Sequence, residues 1–464
     1  MRKKIFVYFL LFTIILSPLS VRGQNQLPLQ ASAAILVEQT TGRVLYSSNA
    51  HAQMYPASTT KLLTALLVER HLDLDEIIVI GQEIRGMPAG FATNLHAEGE
   101  TITVRVLLKA MLIRSSNEAG RILALEVIRT VDGRRNISYS DAKPRFSNLM
   151  NEKAYSLGAV NSNFNNPYGL HSEAHFTTAY DLALIARAFM NVPVLMEIAG
   201  MRYFEGDSLG GRYYPGANVR QYSWTNTNLM LPGAAFGHPY ILGGRTGFTT
   251  PAGHCFVGMA YHNGLALVSV VLYSVEPDRW QDTRVLIDYG FLNYHFREIA
   301  TEGQLLETVI IENPRLGDVN TLDVFLPEGH TELLSHAEFT AIRQEITFDP
   351  LLLADHDGNY TMLRAPIENG EAVGVITFQT GNNVIFHAPV IAGRQVYERT
   401  FDSDMDYYIE MILDNIFTRR ALPYWFGVFG TLFGIVGMSL AFSASRRARN
   451  QSRWDIPDPR RYKR

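Results

Sequence analysis

A single cysteine, Cys255, in 464 residues excludes an intramolecular disulfide, so cross-links do not hold this fold together. It lies in the apolar run Cys255-Phe256-Val257-Gly258-Met259, where a free thiol packs as a small buried hydrophobe. Charge is sparse as well, at 19% of residues against 47% hydrophobic. That balance describes a globular chain with an apolar excess. Long-range repeats and low-complexity linkers are absent, which argues against a solenoid or a tethered array. The histidines show no ligand pairing that demands a metal, and no cofactor is expected.

Two segments account for the apolar excess. Arg2, Lys3 and Lys4 precede a charge-free run from Ile5 to Leu16, and Val21-Arg22-Gly23 comes next with small residues. This pattern predicts a secretory signal peptide over residues 1–23; an uncleaved anchor is the alternative. Leu422 to Ala444 is long enough to span a bilayer, with Tyr424 and Trp425 at its start as interfacial aromatics. A core helix is the other reading of such a run, but the chain continues into a basic tail, 445–464, in which eight cations face Asp455 and Asp458. The positive-inside rule places that tail in the cytoplasm and residues from about 24 to 420 outside it, tethered to the cell membrane by one span. The net charge of −4 conceals an asymmetry: setting aside the +6 tail and the four cations of the first 23 residues leaves −14 on the part between. So acidic a segment excludes nucleic acid as a partner.

Between these ends the periodicity is mixed. Ala33 to Val37 and Arg43 to Ser47 read as strands about a turn at Thr40-Thr41-Gly42. Ser58 to Arg70 reads as a helix with Leu62, Leu63, Leu66 and Leu67 on one face. Thr103 to Ile113, Glu118 to Thr130 and Tyr180 to Met190 read as helices too. Strand patterns return near Gly243, with Cys255 to Tyr261 and Leu265 to Tyr273 flanking the hairpin signal His262-Asn263-Gly264. Asp278 to Tyr294 is again helical, so residues 24–297 form an α+β domain. Short strands and turns over 298–395 predict a small all-β domain, with strands at Thr308–Ile311, Leu322–Leu326, Glu345–Phe348 and Val373–Phe378. Residues 396–421 carry Phe401, Met405, Tyr408, Ile409, Ile412 and Leu413 at helical spacing, an amphipathic linker to the span at 422–444.

Three short motifs carry chemistry. In Pro56-Ala57-Ser58-Thr59-Thr60-Lys61, Ser58 stands in the first turn of its helix and Lys61, three residues on, shares its face. A serine hydroxyl is a weak nucleophile until a base takes its proton, and a buried lysine whose pKa is lowered can be that base. The spacing recurs at Ser140-Asp141-Ala142-Lys143, but there Pro144 comes next within a polar stretch, and that match reads as chance. Ser115-Ser116-Asn117 interrupts two apolar helices and offers a hydroxyl and an amide on a loop; a helix-capping turn is the plainer reading. Ser47-Ser48-Asn49 is a decoy for it. Gly243-Gly244-Arg245-Thr246-Gly247-Phe248-Thr249 puts a cation between glycines that permit close backbone approach; an edge strand with an exposed Arg is the alternative.

Each motif is weak alone, but their joint occurrence in this order resembles the penicillin-recognising serine enzymes. Residues 30 to 295 are similar to the low-molecular-mass penicillin-binding proteins of the serine D-alanyl-D-alanine carboxypeptidase type (peptidase S11-like). The nucleophile motif from Pro56 to Leu62, Phe164-Asn165-Asn166-Pro167-Tyr168-Gly169-Leu170, Tyr180-Asp181-Leu182-Ala183, Thr246 to Thr249 and Ala252-Gly253-His254-Cys255 carry the likeness. Arg245 stands where that family usually has Lys, and Ser116 where it commonly has Gly. The resemblance implies a penicillin-binding-protein/β-lactamase-like fold, an antiparallel sheet with a helical subdomain. It implies that the peptidoglycan stem pentapeptide is the substrate and that β-lactams acylate Ser58. It further implies Lys61 as base, Ser115 as proton relay, Asn117 as a grip on the substrate amide, and the Ser58 and Phe248 N–H groups as oxyanion hole, with Arg245, Thr246, Gly247 and Phe248 binding substrate and Arg245 holding its terminal carboxylate. A β-lactamase, an endopeptidase of the same fold, or a non-catalytic muropeptide or β-lactam receptor are the competing readings. The β-lactamase reading lacks a clear deacylating glutamate over Asn161 to Leu170.

Overall fold

A computed structural model describes residues 26–87, 93, 95–354, 361–416 and 422–451; the expected signal segment and the end of the basic tail lie outside them. The chain divides into two compact units, Met1–Phe296 and Arg297–Arg464.

The first unit opens with β1 (Ala33–Glu38) and β2 (Val44–Ser48). A single 3-10 turn, Ala57–Thr60, leads into α1 (Lys61–His71). The pair β3 (Ile77–Val79) and β4 (Thr101–Thr103) precedes five helices: α2 (Val104–Ile113), α3 (Asn117–Asp132), α4 (Tyr139–Ser156), α5 (Ala179–Met190) and α6 (Pro193–Gly200). The hairpin β5 (Tyr203–Asp207) and β6 (Gln221–Thr225) comes next. The unit closes with β7 (Ile241–Thr249), β8 (Gly253–His262), β9 (Leu265–Ser274) and α7 (Asp278–Asn293).

The main sheet is antiparallel, in the order β2-β1-β9-β8-β7, so the first strands pair with the last and the helices lie between them in sequence. All six residues of β1 are buried, which requires cover on both faces of the sheet. Ala33, Ile35 and Val37 join the core shared with the helices, while Leu36 faces α7, where it approaches Gly290. The β8–β9 hairpin turns through Asn263 and Gly264, both at positive φ (48° and 82°), as a tight two-residue connection requires. α1 is buried all round from Lys61 to Val68, so it runs through the interior and not along a surface.

The polar stretch around Ser140 to Lys143 forms the start of α4, with Pro144 inside the helix. Tyr139, Ala142, Phe146, Met150 and Ala154 supply a buried face at helical spacing that the intervening polar residues obscure in the sequence. Ser140 and Lys143 themselves are exposed.

β10 (Tyr294–Ala300) crosses from the first unit into the second, where β11 (Leu305–Glu312), β12 (Thr321–Phe325), β13 (His330–Ser335), the short α8 (His336–Thr340), β14 (Ile342–Phe348), β15 (Met362–Arg364), β16 (Ala372–Thr380) and β17 (Asn383–Ala392) succeed one another. Six of these strands form one sheet, β14-β16-β17-β12-β11-β15, in which the β11–β15 pair alone is parallel. Leu322, Val324, Ile376, Phe378 and Val390 fill its core. α9 (Phe401–Ile416) exposes Phe401, Met405, Ile409, Ile412 and Leu413. Within α10 (Leu422–Gln451), Pro423–Arg447 has a mean hydropathy of 1.8 and is long and apolar enough to cross a membrane.

Truncating Leu36 to alanine deletes a side chain caught between sheet and α7, with no solvent to refill the gap. Chemical denaturation should report a loss of about 2–5 kcal/mol for Leu36→Ala; a loss below about 1 kcal/mol would mean that this sheet face is not closed by α7 as described.

Candidate active site

The 3-10 turn from Ala57 to Thr60, the loop from Arg114 to Asn117, the loop from Asn165 to Leu170 and the edge strand β7 converge on one cleft of about 220 Å³. Its wall includes Ser58, Ser115, Asn117, Tyr168, Phe248 and Thr249. Ser58 sits in the 3-10 turn, one turn ahead of the α-helix in which its sequence placed it, and Lys61 is the first residue of α1. The side-chain relation survives that shift: Lys61 Nζ lies 2.9 Å from Ser58 Oγ.

Lys61 is completely buried. Its Nζ also lies 2.6 Å from Asn117 Oδ1, 2.9 Å from the Tyr168 carbonyl oxygen and 3.5 Å from Ser115 Oγ. Burial holds its pKa well below the usual lysine value, the Arg245 guanidinium lowers it further, and Glu118 opposes them. Losing water disfavours the ammonium, and a neighbouring cation adds to the same effect. The result is an amine with a hydroxyl in hydrogen-bond reach and a reduced hold on its own proton, the requirement for a general base.

The Ser115-Ser116-Asn117 loop serves both purposes that its sequence suggests. Ser116 is the N-cap of α3, its hydroxyl accepting from the Ala119 N–H at 3.1 Å. Ser115 and Asn117, on either side, turn toward Lys61. Ser115 holds φ of 64°, and Ala57, just before the nucleophile, holds φ of 47°. Left-handed backbone at two non-glycine residues, each at or beside a reacting hydroxyl, is strain kept in place by the surrounding packing.

The loop from Asn165 to Leu170 is legible in the sequence only as a family-like string, and its part in the site comes from the structure. The Asn166 side chain folds it: Oδ1 accepts from the N–H groups of Gly169 and Leu170 (2.8 and 2.9 Å), and Nδ2 donates to the Leu170 carbonyl at 2.8 Å. The loop is then fastened to α1, since Thr64 Oγ1 donates to the Pro167 carbonyl at 2.6 Å. Buried His175 ties it to the 3-10 turn. Its Nδ1 accepts from the Asn165 N–H, so Nε2 carries the proton and donates to Thr60 Oγ1 at 2.8 Å. Burial lowers the His175 pKa to about 3, which keeps the ring neutral. Gly169 has φ of 87°, and a Cβ there would stand 1.8 Å from the Ala57 carbonyl oxygen. Only glycine lets the loop bring the Tyr168 carbonyl up to Lys61.

β7 is an edge strand, as one reading of its sequence holds, but Arg245 is not exposed: 1% of its surface meets solvent. Nor does Arg245 line the cleft, where the expectation of a carboxylate grip placed it. Its Nε donates to the Ser58 carbonyl and its Nη1 to the Leu112 carbonyl (3.2 and 2.7 Å). Burial pushes its pKa down to about 9, so it remains a cation at neutral pH. Thr246 is buried too, its hydroxyl 3.0 Å from Thr227 Oγ1. Gly247 brings the strand against the nucleophile turn, since a Cβ there would meet the Pro56 carbonyl at 2.8 Å. Phe248 is 56% exposed on the cleft wall beside Thr249, a residue outside the set expected from sequence. Cys255 is buried in β8, and burial pushes its thiol up to about 11, away from reactivity.

A serine with a buried lysine in hydrogen-bond contact, joined by a second serine and an asparagine beside a sheet edge, defines the class of serine acyl-transferring enzymes with a lysine base. The family model described as D-alanyl-D-alanine carboxypeptidase, peptidase S11, matches residues 20–275, and the chain belongs to that family. It is similar to the D-alanyl-D-alanine carboxypeptidase DacF of Bacillus subtilis, 26% identical over 81% of this chain and 88% of that protein. The DacC carboxypeptidase of Escherichia coli is 27% identical, over 80% and 85%. Among solved structures, DacD from Francisella tularensis matches with a TM-score of 0.58 at 22% identity, covering 80% of this chain and 94% of that one. Penicillin binding protein 5 from Haemophilus influenzae matches with a TM-score of 0.56 at 20% identity, covering 81% and 100%. These structural likenesses establish the fold of the penicillin-binding proteins for this chain.

The geometry makes two outcomes measurable. Gly169→Ala should cut the rate of Ser58 acylation by about 100-fold or more, because the added carbon displaces the nucleophile turn; acylation at the wild-type rate would show that the close approach is not needed. The acid limb of acylation should report the Lys61 pKa, since only the neutral amine can take the proton and activity rises with pH through that value. Arg245→Gln removes a lowering charge and should move the limb to higher pH, whereas Glu118→Gln removes a raising one and should move it lower. Stopped-flow acylation across pH checks both signs; shifts in the same direction would contradict the electrostatic reading.

Proposed function

We propose that Ser58 is the nucleophile of a serine-type D-alanyl-D-alanine carboxypeptidase that removes the terminal D-alanine from peptidoglycan stem pentapeptides. The observation that carries this is the 2.9 Å contact between Ser58 Oγ and a fully buried Lys61 Nζ, in a chain of this family. Neutral Lys61 takes the Ser58 proton as Oγ attacks the carbonyl between the two D-alanines. The tetrahedral oxyanion is met by the N–H groups of Ser58 and Phe248. Lys61, now an ammonium, returns its proton through Ser115 to the departing amine of D-alanine. The acyl-enzyme then hydrolyses by the same residues in reverse, and β-lactams arrest at this stage. Asn117, aligned by Lys61, holds the substrate amide. Arg245 acts from behind the nucleophile turn as a charge that adds to burial in lowering the Lys61 pKa, a role in which a proton-exchanging cation is not required.

The apolar helix α10, preceded by the exposed apolar face of α9, supports a membrane anchor that leaves the catalytic unit outside the cytoplasm. The domain limits at 24–297 and 298–395, read from the sequence, suit an enzyme unit followed by a spacer. The test uses full-length protein in detergent with diacetyl-Lys-D-Ala-D-Ala and a fluorescent penicillin. D-Alanine release and covalent labelling should both be present in the wild type and absent in Ser58→Ala, while Ser140→Ala retains both. Labelling without release would favour a receptor or endopeptidase over a carboxypeptidase.

A further inference from the structure

The substrate proposed above is an anion, yet the cation expected to hold its carboxylate, Arg245, is buried outside the cleft wall, with Nε and Nη1 donating to main-chain carbonyls and Nη2 without a partner among the described residues. Among the described residues, the cleft wall contains one guanidinium, that of Arg114. It is exposed, and no acidic side chain among the described residues forms an ion pair with it. Among the described residues, no Asp or Glu lines the cleft with it.

The backbone explains how Arg114 reaches this wall. Consecutive residues on a helix point about 100° apart and do not share a face. Arg114 is the C-cap of α2 with right-handed backbone, φ −99°, and Ser115 then reverses to φ of 64°. That reversal ends α2 and lets both neighbours line the same cleft, Ser115 close to Lys61 and Arg114 alongside. A guanidinium suits a carboxylate because two parallel N–H donors match its two oxygens.

We infer that Arg114 is a specificity-determining residue that binds a carboxylate of the peptide substrate. This rests on the Ser58 carboxypeptidase reading. Two carboxylates could be its ligand, the C-terminal one of the leaving D-alanine or a side-chain one on the third residue from that end.

The experiment compares full-length wild type, Arg114→Gln and Arg114→Lys in detergent. The substrates are diacetyl-Lys-D-Ala-D-Ala, which has only its terminal carboxylate, and the same peptide with an acylated diamino acid bearing an additional side-chain carboxylate in place of the lysine. A charged hydrogen-bond pair lost from a partly exposed site should lower kcat/KM by about 10- to 100-fold. The loss should fall on KM, with Arg114→Lys recovering part of it. Equal losses on both peptides identify the terminal carboxylate as the ligand; a loss confined to the second identifies the side-chain one. Unchanged kcat/KM on both peptides would overturn the inference. So would a fall in kcat on both with slower penicillin labelling, which would make Arg114 a support for the Ser115 loop instead. A wild type that is neither labelled nor active would remove the carboxypeptidase reading itself and this inference with it.

Discussion

Lys61 is buried where four pieces of chain meet, and no carboxylate among the described residues forms an ion pair with it. An ammonium in that position is cut off from solvent and has no paired counter-ion, only the opposing influence of Glu118, so the energetic pressure is to shed a proton. Arg245 adds to that pressure from a site whose guanidinium is buried as deeply. The hydroxyls and carbonyls around Nζ supply hydrogen bonds to the amine without restoring the charge balance. Ser58 benefits because it lies within reach of a base that is ready to accept.

Keeping that arrangement closed requires backbones to come nearer than side chains would permit. Gly169 and Gly247 each come up against the nucleophile turn, and each would collide with it if it carried a Cβ. Ala57 and Ser115 accept left-handed conformations to aim their loops. Behind them, neutral His175 and the Asn166 side chain hold the loop that delivers the Tyr168 carbonyl. The sheet supports this by pairing β1 with β9, which draws α1, β8 and β9 into one core.

Much of this is legible in the sequence. The Ser58–Lys61 spacing, the break at Ser115 and the Gly-flanked β7 name three sides of the cleft, and alternating or helical patterns place most elements of the first unit. The failures have physical causes. Helix α4 hides because its buried face of Tyr139, Phe146 and Met150 is diluted by polar neighbours on an exposed surface. Strands β10 and β13 lack a strict alternation, being partly exposed on both faces, while β15 is only three residues long and β17 begins with exposed and half-buried residues before it alternates. Arg245 reads as a surface cation because a long charged side chain is seldom buried, and only the tertiary contacts with Ser58 and Leu112 reveal its acceptors. Tyr168 acts through its carbonyl, which no side-chain pattern can announce.

The central claim is that burial and Arg245 hold the Lys61 pKa well below that of an ordinary lysine, so that it can serve as the base for Ser58. It is tested most directly by NMR titration of the protein with isotope-labelled lysine, the Lys61 signal being assigned by its loss in Lys61→Arg. The account predicts a Lys61 side chain that titrates well below the other lysines. A Lys61 signal that stays ammonium-like until the remaining lysines titrate would contradict it and would require another base for Ser58.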